Sequence, residues 1–301
     1  MQTNLILKPQ TAEEINERVE RLLRDLGNPK PPLQLSHVRE LLKLDLGYYS
    51  SSNHSWLGDK LHQLKVAGKQ VISHPTTILS VVKSLGLKGV LLSEKRRILL
   101  DEEVPKPKHR WNEAHEITHD LLPWHDDIAH GDPETTLSPG CHELIEAEAN
   151  YGAGRLLFLG KEFEEVARAS PLTIATVKAV KKTYGNTLTT GLWRLVELSV
   201  DPCFGLITGH PRNATGLDDV KYFIRSPRFT SEFANISGAA IFHAIVPQCF
   251  GRKGPVGDGS IQLTNGRGEL WEFEFECFYN GYDALTLGTP KPKSPIAIAT
   301  V

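Results

Sequence analysis

Cysteine is scarce and scattered in this chain. Its four cysteines, Cys141, Cys203, Cys249 and Cys277, include no Cys-x-x-Cys pair. That spacing excludes a cysteine metal knuckle and argues against a disulfide framework. Reduced thiols in a cytosol fit best, so a cytoplasmic protein is expected. Excess charge is missing too: the formal net charge is −2, which gives no global pull toward nucleic acid or anionic membrane. No apolar run is long enough to span a bilayer. The first residues, Met1 to Lys8, lack a basic region followed by a long apolar stretch, so neither a signal peptide nor a membrane partner is expected. What remains is an ordinary soluble composition, 40% apolar and 23% charged. The 301 residues suffice for roughly one large domain or two to three small ones.

The informative stretch is Trp111-Asn112-Glu113-Ala114-His115-Glu116-Ile117-Thr118-His119. It contains His-Glu-x-x-His, the zinc-hydrolase signature. On a helix, His115 and His119 lie one turn apart on one face, so two imidazole nitrogens can converge on one metal ion. Glu116 sits about 100° round the helix from His115. From there its carboxylate reaches a water at the metal rather than the metal, the geometry of a general base. Three fixed letters in five also occur by chance on charged helix faces. The apolar residues Ala114, Ile117, Leu121 and Leu122 raise the odds, because they give the helix a buried side and set the ligands at the edge of a core.

Zinc in a hydrolytic site takes a third protein ligand and keeps one position open. Candidates lie in Cys141 to Leu157, which reads as a second helix with Ile145, Ala149, Gly152, Ala153 and Leu156 on one stripe. Gly152 and Ala153 would let the two helices approach closely. Glu146 and Glu148 flank that stripe on opposite sides, too far apart for both to bind one metal, and helical geometry alone does not choose between them.

His-Glu-x-x-His on one helix, then Glu-Ala-Asn-x-x-Ala-x-x-Leu-Leu (Glu148 to Leu157) on a second, resembles the ImmA/IrrE family of bacterial metallopeptidases. The run Arg97-Ile98-Leu99-Leu100-Asp101 also matches the family, as a short strand before the motif helix. The resemblance covers roughly Leu85 to Leu159, with a weaker echo to about Leu198. It implies that the third zinc ligand is the glutamate directly before Ala-Asn, Glu148, beside His115 and His119, with Glu116 as the catalytic base. It implies a protein substrate, a helix-turn-helix transcriptional repressor. There are departures: the family usually has Gly where Thr118 stands, Phe where Gly152 stands, and Met-Pro where Phe158-Leu159 stands. None of them removes a ligand. The residues do not distinguish Zn2+ from Mn2+ or Fe2+.

Elsewhere the chain is read from local patterns. Thr11 to Leu26 forms an amphipathic helix with Ile15, Val19, Leu22 and Leu23 as its apolar stripe and Thr11 with Glu14 as a capping box. Gly27 and the prolines after it end this helix. A second helix runs from about Leu35 to Leu44, Tyr48 to Trp56 is a serine-rich loop, and another helix lies near Pro75 to Leu85. Gly89 to Ser93 and Arg97 to Leu100 form a hairpin around Glu94-Lys95. An edge strand of that small sheet can hold a substrate backbone by β-augmentation. The polar segment Pro123 to Gly140 offers Asp127, and the motif helix Asp120, to orient a ligand imidazole. His125, His130 or His142 could stabilise an oxyanion. For each residue of this segment a solvated loop is the commoner role.

Ser170-Pro171-Leu172 starts a helix with Pro at its first position, lined by Val177, Val180 and Tyr184. Gly185-Asn186-Thr187 breaks it before a second helix, Leu188 to Leu198, and the pair suggests a helix-turn-helix. Its basic residues Lys178, Lys181, Lys182 and Arg194 could meet phosphates. A denser basic face would be needed for tight binding, so at most a weak DNA contact through 170–198 is expected. After Asp201, strands are expected at Phe204–Ile207, Ala239–Phe242, Ser260–Leu263 and Trp271–Glu276, with a hairpin turn at Asn265-Gly266. The tail from Pro290 is expected to be extended and mobile.

The expected fold is therefore α+β. A helical zinc-metallopeptidase core with a small β-sheet (85–169) follows an N-terminal helical region (1–84). A helix-turn-helix-like unit (170–200) and a C-terminal mixed α/β, sensor-like domain (201–301) come after it. The expected activity is zinc-dependent cleavage of a repressor to relieve repression. The rival is a non-proteolytic regulatory DNA- or protein-binding module whose metal site is structural or vestigial. Four protein ligands and no base would be usual for a purely structural zinc site.

Overall fold

The computed structural model describes residues 2–49, 65–66, 69–70, 89–92, 96–125, 139–213 and 219–291. The helix expected near Pro75, the residues Glu94-Lys95, Asp127 and His130, and the tail beyond Lys291 fall outside them, as does the side chain of His142. The fold is α+β, and the chain forms two compact units. The first comprises Leu7–Phe163 with Lys182–Thr187, the second Met1–Ile6, Glu164–Lys181 and Leu188–Val301.

In the first unit, α1 (Pro9–Asp25) buries Ile15, Val19, Leu22 and Leu23, as its 3.6-residue periodicity requires. It starts two residues before the expected cap. Pro9 opens it, with Lys8 at the N-cap and no side-chain cap bond. Proline is favoured there because the first helical N–H has no intrahelical partner anyway. After it, Gly27 turns left-handed (φ 77) and its N–H bonds to Arg24 O, while the Asn28 N–H bonds to Leu23 O. These bonds satisfy carbonyls that the helix end leaves open. The next helix, α2 (Leu35–Leu42), stops at Lys43, which is left-handed.

Strands β2 (Asp45–Tyr49), β5 (Gly89–Leu92) and β6 (Arg97–Asp101) form a three-stranded sheet in the order β2-β6-β5, and β3 (Lys65–Val66) pairs with β4 (Lys69–Gln70). The hairpin of β5 (Gly89–Leu92) and β6 (Arg97–Asp101) stands as expected, with Leu91 opposite Ile98. The expected loop at Tyr48 does not: Asp45–Tyr49 is β2, parallel to β6. Strand β6 is central and its residues Ile98 to Asp101 are buried, as a continuous apolar run in a covered sheet should be. Against this sheet packs α3 (Lys106–Leu121), which also packs on α4 (Pro139–Leu157); α4 in turn packs on α1. Arg96 straps strand to helix by pairing with Asp120. Thus Asp120, considered as an orienter of a ligand ring, holds the sheet to α3.

The boundary between units falls within α5 (Lys161–Ala169) and again within α6 (Ile174–Tyr184). The expected start at Pro171 is three residues early. Thr173 stands before the helix, its hydroxyl accepting from the Thr176 N–H. Val177, Val180 and Tyr184 are buried as expected, Gly185 is left-handed, and α7 (Leu188–Leu198) follows. Two of the named basic residues are engaged within the second unit. Arg194 is buried and pairs with Glu197 at 3.4 Å, and the Lys178 ammonium lies 3.7 Å above the Phe278 ring.

The second unit is built on a six-stranded sheet. It comprises β1 (Gln2–Thr3), β7 (Phe204–Thr208), β8 (Val220–Arg225), β9 (Gly254–Thr264), β10 (Leu270–Tyr279) and β11 (Ala284–Pro290). The order is β1-β8-β7-β11-β10-β9, antiparallel except for β1 beside β8. On β10 the alternation is kept: Phe273, Phe275 and Cys277 point into the core and Glu274 and Glu276 outward. The loop between β9 and β10 is longer than Asn-Gly. Asn265 Oδ1 accepts from the N–H groups of Arg267 and Glu269, and Gly268 takes the left-handed position. The expected strand at Ala239–Phe242 is a helix, α9 (Gly238–Ile245), whose N-cap Ser237 accepts from Ala240 N–H. A short apolar run has no periodicity to choose strand over helix, and the cap decides here. With α8 (Pro227–Glu232) it covers the aromatic core.

Candidate metal centre

Helix α3 presents its motif with the buried side facing the core: Ala114, Ile117 and Thr118 are fully buried. His115 and His119 project from the other side, one turn apart, and their Nε2 atoms lie 3.1 Å from each other. Helix α4 supplies Glu146. Its Oε2 is 3.2 Å from His115 Nε2 and its Oε1 3.8 Å from His119 Nε2. His115, His119 and Glu146 thus form a group that could hold a metal ion, with ligand atoms all within 4.8 Å of one another. Three ligand atoms on a tetrahedral ion with bonds of about 2.0–2.1 Å stand about 3.3 Å apart. The observed separations fit that figure.

The expected third ligand, Glu148, lies elsewhere. Glu148 is not in this group; its Oε2 accepts from Trp124 Nε1 at 2.6 Å and faces His125 Nε2 at 3.1 Å. The physical reason is helix phase. Two residues turn a helix about 200°, so when Glu146 faces the histidine pair Glu148 cannot. Asn150, four residues after Glu146 and on the same face of α4, places its Oδ1 3.1 Å from His115 Nδ1.

Glu116 is buried and separate from the three. Its carboxylate is reached by a backbone hydrogen bond from Leu91 on β5. Gly89 makes room for this: a Cβ there would stand 2.7 Å from Glu116 Oε1. Burial raises the Glu116 carboxyl to about 7; His115 opposes the shift, Glu146 adds to it, and the Leu91 bond opposes it. A carboxyl near neutrality can both take and return a proton. For His115, burial alone would lower the pKa, but the hydrogen bond to Glu146, with the charges of Glu116 and Glu146 and the bond to Asn150, raises it. For Glu148, burial would raise the pKa, but the bonds from His125 and Trp124 hold it below the usual carboxylate range.

Sequence reasoning missed Gly89 and the end of β2. Tyr49 there is buried, and burial followed by the charges of Asp101 and Glu116 pushes its phenol upward. His125, one of three histidines considered for an oxyanion, lies beside His119 with its ring tilted by 55°, Nδ1 to Nδ1 at 2.8 Å. Among the described residues no helix is long and apolar enough to cross a membrane.

No family model and no curated protein matches the chain. A solved structure, described as a Mycobacterium tuberculosis transcriptional regulator, is similar over 92% of this chain and 88% of that chain, with a TM-score of 0.50 and 12% sequence identity. At that identity the likeness concerns the fold alone.

Proposed function

We propose that this protein is a zinc-dependent metallopeptidase of the ImmA/IrrE type that cleaves a protein substrate, a helix-turn-helix repressor, in the cytoplasm. The observation that carries the reading is the separation of roles on α3 and α4. Three side chains converge on one point, while a fourth, Glu116, is buried beside them without joining them. A purely structural site would use four protein ligands and have no need of a base. Two imidazoles, one carboxylate and an open position are the donor set of hydrolytic zinc, and manganese or iron share such donors.

Two of the three departures from the family pattern meet at one contact. The methyl of Thr118 and the α-carbon of Gly152 face one another. A Cβ on Gly152 would stand 2.3 Å from Thr118 Cγ2. The family's Gly at the first position and Phe at the second are exchanged here for a larger and a smaller residue at one contact.

In this mechanism His115, His119 and Glu146 would hold the ion, which supplies polarisation of the scissile carbonyl and acidification of a water. Glu116 removes the proton of the attacking water and returns it to the leaving amine. The hydrogen bond from β5 keeps the carboxylate at its station. The solved protein that shares the fold is described as a transcriptional regulator, a description that suits a repressor-directed protease and a binding module alike. Glu116→Gln separates the two. It keeps size and hydrogen-bonding reach and leaves all three ligands in place. Metal binding should persist, and cleavage of a repressor co-expressed from the adjacent gene should fall by about 10²–10⁴-fold. Relief of repression by the Gln variant, with repressor length unchanged in both proteins on a gel, would establish control by contact instead.

A further inference from the structure

A metal-binding imidazole needs its second ring nitrogen held, because a ring free to rotate aims its lone pair elsewhere. His115 meets this need through Asn150. For His119 the Nδ1 faces the Nδ1 of another imidazole, His125, at 2.8 Å. His125 is buried, and the chain brings it there by folding back directly after α3: its backbone N–H bonds to Leu122 O. Its other nitrogen faces Glu148 Oε2, which also accepts from Trp124. The Arg18 guanidinium of α1 lies 5.1 Å above the Trp124 ring.

Protons can be placed along this row in one consistent way. A metal at His119 Nε2 leaves the proton on Nδ1, which donates to His125 Nδ1. His125 then carries its own proton on Nε2 and donates to the Glu148 carboxylate. Every donor meets an acceptor, and the row ends on an anion that can accept from two donors at once. The i, i+2 spacing of Glu146 and Glu148 on α4 gains a purpose from this. The two carboxylates bracket one imidazole, the first at its Nε2 and the second at its Nδ1 through His125.

We propose that His125 and Glu148 are positioning residues that set the affinity and geometry of the metal centre through His119. The proposal rests on the metallopeptidase reading for the metal itself. It differs from a merely structural role, because a buried pair that only packs would not alter the electronic environment of an ion two groups away.

The test uses the full-length protein stripped with a chelator. Zn(II) affinity is measured by competition with a chromophoric chelator, and Co(II) is used for its visible absorption bands. His125→Leu should weaken Zn(II) binding by about 10–100-fold with unchanged stoichiometry at saturation, and should shift the Co(II) bands. Glu148→Gln keeps the acceptor oxygen and loses only the charge, so its loss should be smaller. His125→Asn should recover part of the affinity, since its side-chain oxygen can stand where Nδ1 stood and accept the His119 proton. If His125→Leu fails to fold by circular dichroism, the near-isosteric Glu148→Gln carries the test. Variants with wild-type affinity and wild-type Co(II) bands overturn the proposal while leaving the metal reading intact. Loss of stoichiometry at saturation in both His125 variants makes His125 a ligand and overturns it too. A wild-type protein that binds neither Zn(II) nor Co(II) sinks the metallopeptidase reading along with it.

Discussion

The two units bury different chemistry. In the second, the core is a cluster of aromatic and aliphatic side chains: Phe204, Phe223, Phe229, Phe233, Phe242, Phe273 and their neighbours. Its buried polar side chains mostly serve the backbone. Asn4 exchanges two bonds with the main chain of Arg225 and so docks β1 on β8. Ser226 accepts from the N–H groups of Cys203 and Phe229, and Asn265 shapes a turn. In the first unit, buried polar groups at the α3–α4 contact address one another: His125 faces Glu148 and His119, and Glu116 lies close by. Polar groups that satisfy the backbone stabilise a fold. Side chains that converge on each other carry a desolvation cost that packing alone does not require. On the proposed reading, that contrast assigns the chemistry to the first unit.

The comparison breaks most sharply at the ligands. Glu146→Ala should take bound zinc from about one per chain to nearly none, measured by metal analysis of folded protein. Glu148→Ala should keep the stoichiometry at saturating metal. The opposite order would restore Glu148 as ligand and place the helix in a different phase. Phe273→Ala should do the reverse. The ring is fully buried, with its centroid 5.3 Å from that of Phe233 and 5.8 Å from those of Phe204 and Phe229. Its truncation should cost about 3–5 kcal/mol of stability, read from the denaturant midpoint, while zinc content below the transition is unchanged. Zinc lost from a Phe273→Ala protein that is still folded would show that the aromatic core also shapes the site.

Much of this division was legible in the sequence. The motif helix, the α1 stripe, the β5–β6 hairpin and the alternation on β10 rest on periodicity, which local sequence carries. What was not legible depends on partners distant in the chain. Tyr48 and Tyr49 look like the start of a serine-rich loop, and only pairing with β6 makes them a strand. Gln2 and Thr3 are too short to show any pattern, and β8 recruits them. Ala239 to Phe242 is an apolar run that either state accepts. Arg194 looked like a phosphate contact, yet it is buried against Glu197. The choice between Glu146 and Glu148 needed the rotation of α4 against α3, which no single helix encodes.

That rotation is fixed where the helices touch most closely, and the smallest predicted effect tests it. Gly152 lies in the interior of α4, where alanine would ordinarily stabilise a helix by up to about 1 kcal/mol. Here the added Cβ would meet Thr118 Cγ2 at 2.3 Å and Ile15 Cγ2 at 3.3 Å. The first distance is too short to stand, and Thr118 cannot swing away cheaply, because its hydroxyl donates to Ala114 O at 2.8 Å and the side chain is fully buried. The clash therefore outweighs the propensity, and Gly152→Ala should cost about 1–3 kcal/mol. Thr118→Ser removes the offending methyl and keeps the hydroxyl. On its own it leaves a methyl-sized gap and should cost up to about 1 kcal/mol. In the double variant the new methyl fills that gap, so the two losses should not add. A denaturation double-mutant cycle should return a favourable coupling of about 0.5–3 kcal/mol, with zinc content retained. Strict additivity would mean that the helices meet elsewhere, and that the phase placing Glu146 on the metal has some other origin.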